Sequence, residues 1–268
     1  MTQPVQFTNT ALPDIIEMKG ISQVYDNGAT IIKDFNILIE DKPNQGQFVV
    51  ILGESGCGKS TILRYISGLQ KPTSGEMLIY GKPRSHMDRV GMVFQQYSSL
   101  PWLSVMDNVA LGLEYAGVDK KERYERAMTM IKEVGLEGQE NKYAKYPNLS
   151  GGQLQRVAIA RSLVYESKIL LMDEPFGALD IHTRLQMQDL LSNIWDRLQP
   201  TVIFVTHDIT EAVYLGDDIY IMGKNPGNIK AHYHVPLPTK RTKDLKRTSQ
   251  FTNLVHEIED KMMEIGSI

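Results

Sequence analysis

The chain has 268 residues, of which 42% are hydrophobic and 23% charged, enough for one large domain or two small ones with a proper core. Its net charge of −3 and pI of about 6.1 exclude a bulk attraction to nucleic acid or to an acidic membrane face. The single cysteine, Cys57, excludes a disulfide framework within the chain and suits a reducing compartment.

The opening stretch "MTQPVQFTNTALPD" has neither a basic n-region nor an apolar h-region, so no signal peptide is expected. The segments "IIEMKGISQVY", "TIIKDFNILIE" and "QFVVILG" follow, separated by the turn formers "DNG" and "DKPNQG", and read as strands. The third runs straight into the glycine-rich loop "GESGCGKST" at 53–61. After the loop, "KSTILRYISGL" has helical spacing, with Ile62, Leu63, Ile66 and Leu69 on one face. A turn, "KPTSGE", and two further strands, "EMLIYG" and "RVGMVFQ", complete this part.

Beyond Gln96 the pattern is helical from about 104 to 135, with Ala127, Met130, Ile131 and Val134 inward and a solvated charged face. A polar, tyrosine-rich loop leads to "YPNLSGGQLQRVAIARS" at 146–162, where a Ser-Gly-Gly turn opens onto a helix. Two buried-strand candidates, "KILLMD" and "TVIFVT", flank the helical run "IHTRLQMQDLLSNIWDRL". A short helix "DITEAVYLG", a strand "DIYIMG" and a C-terminal amphipathic helix follow. In that last helix Phe251, Leu254, Val255, Ile258 and Met262 are expected to pack rather than to anchor a membrane. Strand, helix and strand in alternation, with continuously apolar strands, predict a parallel α/β sheet covered on both faces. Residues 97–153 form a mainly helical insertion into it. The longest apolar runs, such as "FVVIL" and "VIFV", are far short of the roughly 18 residues of a membrane span. The chain is expected to be soluble by itself, and any membrane work needs spans from another chain.

Three stretches carry chemistry. "GESGCGKS" fits the strand–GxxxxGK[ST]–helix pattern. Gly53, Gly56 and Gly58 let backbone N–H groups approach phosphate oxygens without a Cβ in the way. Lys59 supplies a full positive charge and Ser60 a hydroxyl for Mg²⁺. Cys57 reads as a small residue tolerated in the loop, without a redox role. "ILLMDE" is a strand ending in two carboxylates, Asp173 to hold Mg²⁺ through water and Glu174 to polarise an attacking water. "VTHD" sets His207 at the tip of another apolar strand, within possible reach of a γ-phosphate. His232 and His234 lie two apart on an expected strand, and no metal site is read there, because no further ligand accompanies them.

Taken together these residues resemble the ATPase subunits of ABC transporters, over nearly the whole chain. "GESGCGKST" is similar to the Walker A loop (Gly53, Glu54, Ser55, Gly56, Cys57, Gly58, Lys59, Ser60, Thr61) and "ILLMDE" to Walker B. "LSGGQ" is similar to the family signature (Leu149, Ser150, Gly151, Gly152, Gln153), and "VFQQ" to the Q-loop with Gln95. "GALD" resembles the D-loop with Asp180, His207 the switch histidine, and Tyr25 in "VYDNG" the aromatic residue that stacks on adenine.

The resemblance implies an α/β P-loop NTPase with a RecA-like parallel core, an antiparallel β subdomain and a helical signature subdomain. It implies one ABC ATPase domain over 1–268, with its nucleotide-binding core at about 14–96 and 154–235, the signature subdomain at 97–153 and a helical tail at 236–268. It further implies two copies, head to tail, each ATP lying between one copy's Walker A loop and the other's signature. Ser60, Gln95 and Asp173 would hold Mg²⁺, while Glu174, His207 and Gln95 would act in hydrolysis. "SSLPWLSVMDNVALGLE", "DEPFGALDIHTR", "VTHDITEAVYLGDDIYIM" and the later "NPG" resemble importer ATPases of the nitrate, sulfonate and taurine group. That implies permease subunits, an extracytoplasmic substrate-binding protein, no nucleic-acid partner, and a peripheral place on the cytoplasmic face of the plasma membrane. Gln153, where that group often has Met, and the polar loop "EDKPNQGQ" are small departures. The competing reading is a soluble non-transport ABC ATPase, which would favour fused ATPase halves, a coiled-coil insertion or a strongly basic face. None of these is seen in the sequence.

Overall fold

The computed structural model describes residues 13–42, 45–85 and 88–266. The expectation of no leader at the N-terminus rests on positions that lie almost wholly outside those residues, and part of the "EDKPNQGQ" loop lies outside them too. The chain divides into two compact units, Met1–Arg89 with Ile203–Ile268, and Val90–Val202.

The first unit starts with β1 (Ile16–Val24) and β2 (Thr30–Ile39), paired antiparallel around the "DNG" turn. β1 buries Ile16 and Met18, then, past a break in register, Ile21 and Gln23, with less buried or exposed residues between them, as a strand with one face on the core does. β3 (Phe48–Leu52) is buried at every position. It feeds the glycine-rich loop and then α1 (Lys59–Ser67). Gly68, at φ +78°, ends α1 in the left-handed conformation that glycine adopts without strain. That early stop corrects the expected apolar face: Ile62, Leu63 and Ile66 are buried, but Leu69 lies past the cap and is 64% exposed. β4 (Ser74–Ile79) and a short β5 (Lys82–Pro83) close an antiparallel sheet in the order β2-β1-β4-β5.

The second unit opens with β6 (Val90–Val93) and continues with α2 (Val105–Tyr115) and α3 (Lys120–Glu133). The helical pattern expected over about 104–135 is thus carried by two helices. Gly117 takes φ +77°, and the Asp119 side chain accepts from Lys121 N to start α3 afresh. Ala127, Ile131 and Val134 are buried as expected, with Met130 half-buried. α4 (Gly151–Leu163), β7 (Ile169–Asp173) and α5 (Ile181–Leu198) follow, and β6 pairs parallel with β7.

The chain then passes through β8 (Thr201–Thr206) back into the first unit. There α6 (Ile209–Leu215), β9 (Asp218–Gly223) and β10 (Asn228–His234) precede a 3-10 turn (Lys243–Arg247) and α7 (Ser249–Gly266). The core strands of this unit lie in the order β10-β9-β3-β8, with β3 and β9 parallel and β10 antiparallel to β9. Phe48 and Phe204 fill its centre, their rings 5.7 Å apart and tilted by 47°. On α7, Phe251, Leu254 and Ile258 are buried and Val255 and Met262 half-buried, which accounts for its apolar stripe as packing.

Buried strands with helices between them give an α/β architecture, as the apolar runs predict. Each of three buried strands leads into a chemistry-bearing residue: β3 runs up to Gly53, β7 ends on Asp173 and β8 runs up to His207.

Candidate nucleotide-binding site

The phosphate loop is built entirely within the first unit. Gly56 and Gly58 adopt φ +84° and +103°. Both lie in a region from which a Cβ bars most residues. A Cβ on Gly53 would stand 2.5 Å from the Met222 carbonyl oxygen, so β9 forces glycine there for packing reasons. Lys59 is buried, and its ammonium donates to the Gly53 and Glu54 carbonyls at 2.8 and 2.9 Å. The lysine thus stays over the loop, held by the backbone that it serves. Among the described residues the amides of Ser55, Gly56 and Gly58 donate to no protein acceptor. A row of unspent N–H groups at a helix start, with a lysine beside it, suits a polyphosphate.

The loop is steadied from outside. Glu54 pairs with Lys224 of the β9–β10 connection. Gly227 donates to the Ile31 carbonyl at 2.8 Å, and Lys33 N donates to the Gly227 carbonyl at 3.2 Å, tying this connection to β2. A Cβ on Gly227 would lie 2.1 Å from the Cys57 carbonyl oxygen. Cys57 itself is buried, and burial pushes its thiol above its ordinary pKa, so it is a poor nucleophile. His207 follows Thr206, whose carbonyl accepts from Gly53 N at 3.3 Å, so the histidine's strand end adjoins the start of the loop. Tyr25 stands at the β1–β2 turn, 42% exposed, with its ring available for stacking.

The second unit holds the carboxylates and the signature. Asp173 is buried at the end of β7. The next residue, Glu174, is held at φ +42°, an unfavourable conformation for a residue with a Cβ and one that recurs at working sites. Gln95 Nε2 donates to Glu174 Oε2 at 3.4 Å, so the Q-loop amide and the second carboxylate meet within one chain. Ser150 caps α4: its hydroxyl accepts from Gln153 N at 3.3 Å, while Gln153 Oε1 accepts from Ser150 N at 2.9 Å. This reciprocal box fixes the start of the signature helix, with Leu149 buried just before it. Asp180 caps α5 in the same way, accepting from Thr183 N at 3.0 Å and from Thr183 Oγ1 at 2.6 Å. Those bonds hold the Asp180 carboxyl below the ordinary aspartate pKa.

A family model described as ABC transporter matches residues 39–177, more than half of the chain. The chain belongs to the ABC transporter family. It is 42% identical, over 91% of its length and 93% of the relative's, to the nitrate import ATP-binding protein NrtD of Synechocystis. It is 46% identical, over 81% of its length and 84% of the relative's, to the taurine import ATP-binding protein TauB of Rhizobium johnstonii. Among solved structures, this ABC chain is similar to cbiO1 of Clostridium perfringens, part of the ABC transporter complex cbiONQ. The TM-score is 0.74 at 27% identity, covering 96% of this chain and all of that one. It is also similar to the dimeric ATP-binding cassette MJ0796 bound to ADP and Pi, with a TM-score of 0.70 at 33% identity, covering 83% of this chain and all of that one. The fold is therefore that of the P-loop ABC ATPases.

Three features of this ABC chain's site escape a sequence reading. Gly227 presses on the phosphate loop from a distant connection, and its "NPG" had signalled only a subgroup. Thr183 and Tyr97 bear on the signature glycines, since a Cβ on Gly152 would lie 2.5 Å from Thr183 Cγ2 and one on Gly151 2.3 Å from Tyr97 Oη. His232 and His234 turn to Asp218 instead, at 2.9 and 3.4 Å, and His232 stacks on Tyr220.

Proposed function

We propose that this chain is the ATP-hydrolysing motor of a bacterial importer for a small anionic or zwitterionic solute of the nitrate, sulfonate or taurine kind. The single observation that carries the catalytic part is the phosphate loop, with buried Lys59 and the unspent amides of Ser55, Gly56 and Gly58. The importer part rests on likeness to relatives named for nitrate, taurine and sulfonate import. In this reading Tyr25 stacks on the adenine, the loop from Gly53 to Thr61 holds the phosphates, and Lys59 moves its ammonium from the loop carbonyls to phosphate oxygens. Glu174 accepts a proton from the attacking water or orients it, with Gln95 steering its carboxylate, and His207 positions the γ-phosphate.

Ser60, Gln95 and Asp173 offer a hydroxyl, an amide and a carboxylate oxygen, the donor set that suits a hard cation. They would hold Mg²⁺, which supplies charge neutralisation at the β- and γ-phosphates.

The signature faces the nucleotide of a second copy. In the capping box Gln153 N takes one lone pair of the Ser150 hydroxyl, and the hydroxyl hydrogen is left for an arriving oxygen. The α4 N-terminus adds its own partial positive charge. Asp180 of each copy lies in the D-loop beside that junction. No helix among the described residues is long and apolar enough to cross a membrane. The transport path is assigned to partner permease subunits, and the motor to their cytoplasmic face, with an extracytoplasmic binding protein choosing the cargo and no nucleic acid involved.

A mixing experiment tests the two-copy site. Lys59→Ala and Ser150→Ala chains should each be inactive alone. Together they form hybrids in which one site has lost both elements and the other keeps both, so part of the ATPase activity should return. Hybrids as inactive as the separate variants would refute the shared site.

A further inference from the structure

We infer that Thr183 is a positioning residue for the signature helix, transmitting the set of the D-loop carboxylate to Gly152 within one chain. The inference rests on the two-copy reading above. Asp180 takes two hydrogen bonds from Thr183, one from its amide at 3.0 Å and one from its hydroxyl at 2.6 Å. The first fixes the backbone of α5's opening turn and the second fixes χ1. A β-branched residue so held has one place left for its methyl. That methyl, Cγ2, lies where a Cβ on Gly152 would approach to 2.5 Å.

Thr183 is short and half-buried, so it cannot swing aside as a long side chain could. Gly152 is buried in the first turn of α4, whose N–H groups form the proposed seat for the partner's nucleotide. The chain of contact is therefore Asp180 carboxylate, Thr183 hydroxyl, Thr183 methyl, Gly152 Cα. Any movement of Asp180 when a second copy docks re-aims the methyl and with it the start of α4. Gly152 has two reasons to be glycine: the approach of a phosphate from outside, and the Thr183 methyl from inside.

Tyr97 bears on the neighbouring Gly151 from the Q-loop side. Its hydroxyl is the far end of a partly exposed side chain, which can yield, so the Thr183 contact is the stiffer of the two.

The two reasons for glycine separate in a suppressor experiment on the full chain in a Glu174→Gln background. The readouts are ATP-dependent dimerisation by light scattering, affinity of the monomer for a fluorescent ATP analogue, and Tm. The parent must dimerise with ATP; a parent that stays monomeric refutes the two-copy reading itself, whatever the other variants do. Gly152→Ala should weaken dimerisation about tenfold, the scale of an overpacked contact. Thr183→Ser removes the methyl while keeping the bonds to Asp180, so adding it to Gly152→Ala should recover most of that loss. Analogue affinity of the monomer should not move.

No recovery in the double variant would mean that Gly152 serves only the arriving phosphate and would overturn the inference. So would a Gly152→Ala chain that dimerises like its parent. Should Gly152→Ala fail to fold, Thr183→Ser alone decides. It should weaken dimerisation about threefold with Tm and analogue affinity unchanged, and undiminished dimerisation would count against the inference.

Discussion

Gly227→Ala puts the external support of the phosphate loop to a quantitative test. The new Cβ would lie 2.1 Å from the Cys57 carbonyl oxygen, 2.7 Å from Met222 Cε and 3.0 Å from the Ile31 carbonyl oxygen. The methionine end can rotate away, but the other two obstacles are backbone. Relief requires the loop to retreat by about 1 Å, given ordinary non-bonded separations. Overpacking of this kind costs about 1–3 kcal/mol, and backbone obstacles place this case near 3. For a protein of this size that corresponds to a Tm lower by roughly 6–12 °C. The same retreat pulls the loop amides off the phosphates, and a misplacement of about 1 Å should weaken ATP binding at least about tenfold.

Differential scanning fluorimetry and titration with a fluorescent ATP analogue read the two effects. Gly112→Ala is the matched control: it lies within α2, its nearest foreign atom would be 3.9 Å away, and it should stabilise by about 0.5–1 kcal/mol through helix propensity. A Gly227→Ala chain with wild-type Tm and wild-type ATP affinity would refute the argument, because no backbone path around a 2.1 Å contact leaves both untouched.

Further outcomes are expected. Glu174→Gln should keep ATP affinity but lower the rate of phosphate release by about 10²–10⁴-fold, the usual worth of a positioned base; a rate near wild type would remove Glu174 from that role. Asp218 is desolvated, which raises its pKa, but the hydrogen bond with His232 and the charges of Lys42 and His234 outweigh burial and hold the carboxyl below the ordinary value. A depressed carboxyl contributes stability that is complete above its unfolded pKa of about 3.9 and is lost as pH falls through the folded value. His232→Ala should therefore move the midpoint of acid unfolding to higher pH, and an unmoved midpoint would argue against the pair. Arg241 is buried and donates to the Gly216 carbonyl at 2.6 Å, beside Asp217 at 3.4 Å and the Pro238 carbonyl. Arg241→Ala should cost about 3 kcal/mol in urea unfolding, and Arg241→Lys should recover only part of it, because an ammonium cannot reproduce the fork.

Much of the site was legible because its parts are local. The loop from Gly53 to Thr61, its preceding strand and its following helix are one continuous segment. Glycine spacing and a lysine there state the chemistry without help from the rest of the chain. The Ser-Gly-Gly turn that opens onto α4 at Ser150 is equally local. One misreading arose where a local signal had to be weighed. Gly68 stops α1 before Leu69, although apolar periodicity continues across the break.

The sequence by itself determined the α/β class, the phosphate loop, the order of the acidic and signature motifs, and the family. These depend on residue type and near-neighbour spacing, which hydrogen bonding and backbone conformation convert directly into structure. Only the tertiary structure decided that Gly227 presses on Cys57, that Gln95 reaches Glu174, and that the Thr183 methyl lies against Gly152. Each of these joins residues far apart in the chain or depends on the exclusion of a single Cβ. Such facts come from how buried elements share space, and no spacing along the sequence encodes them.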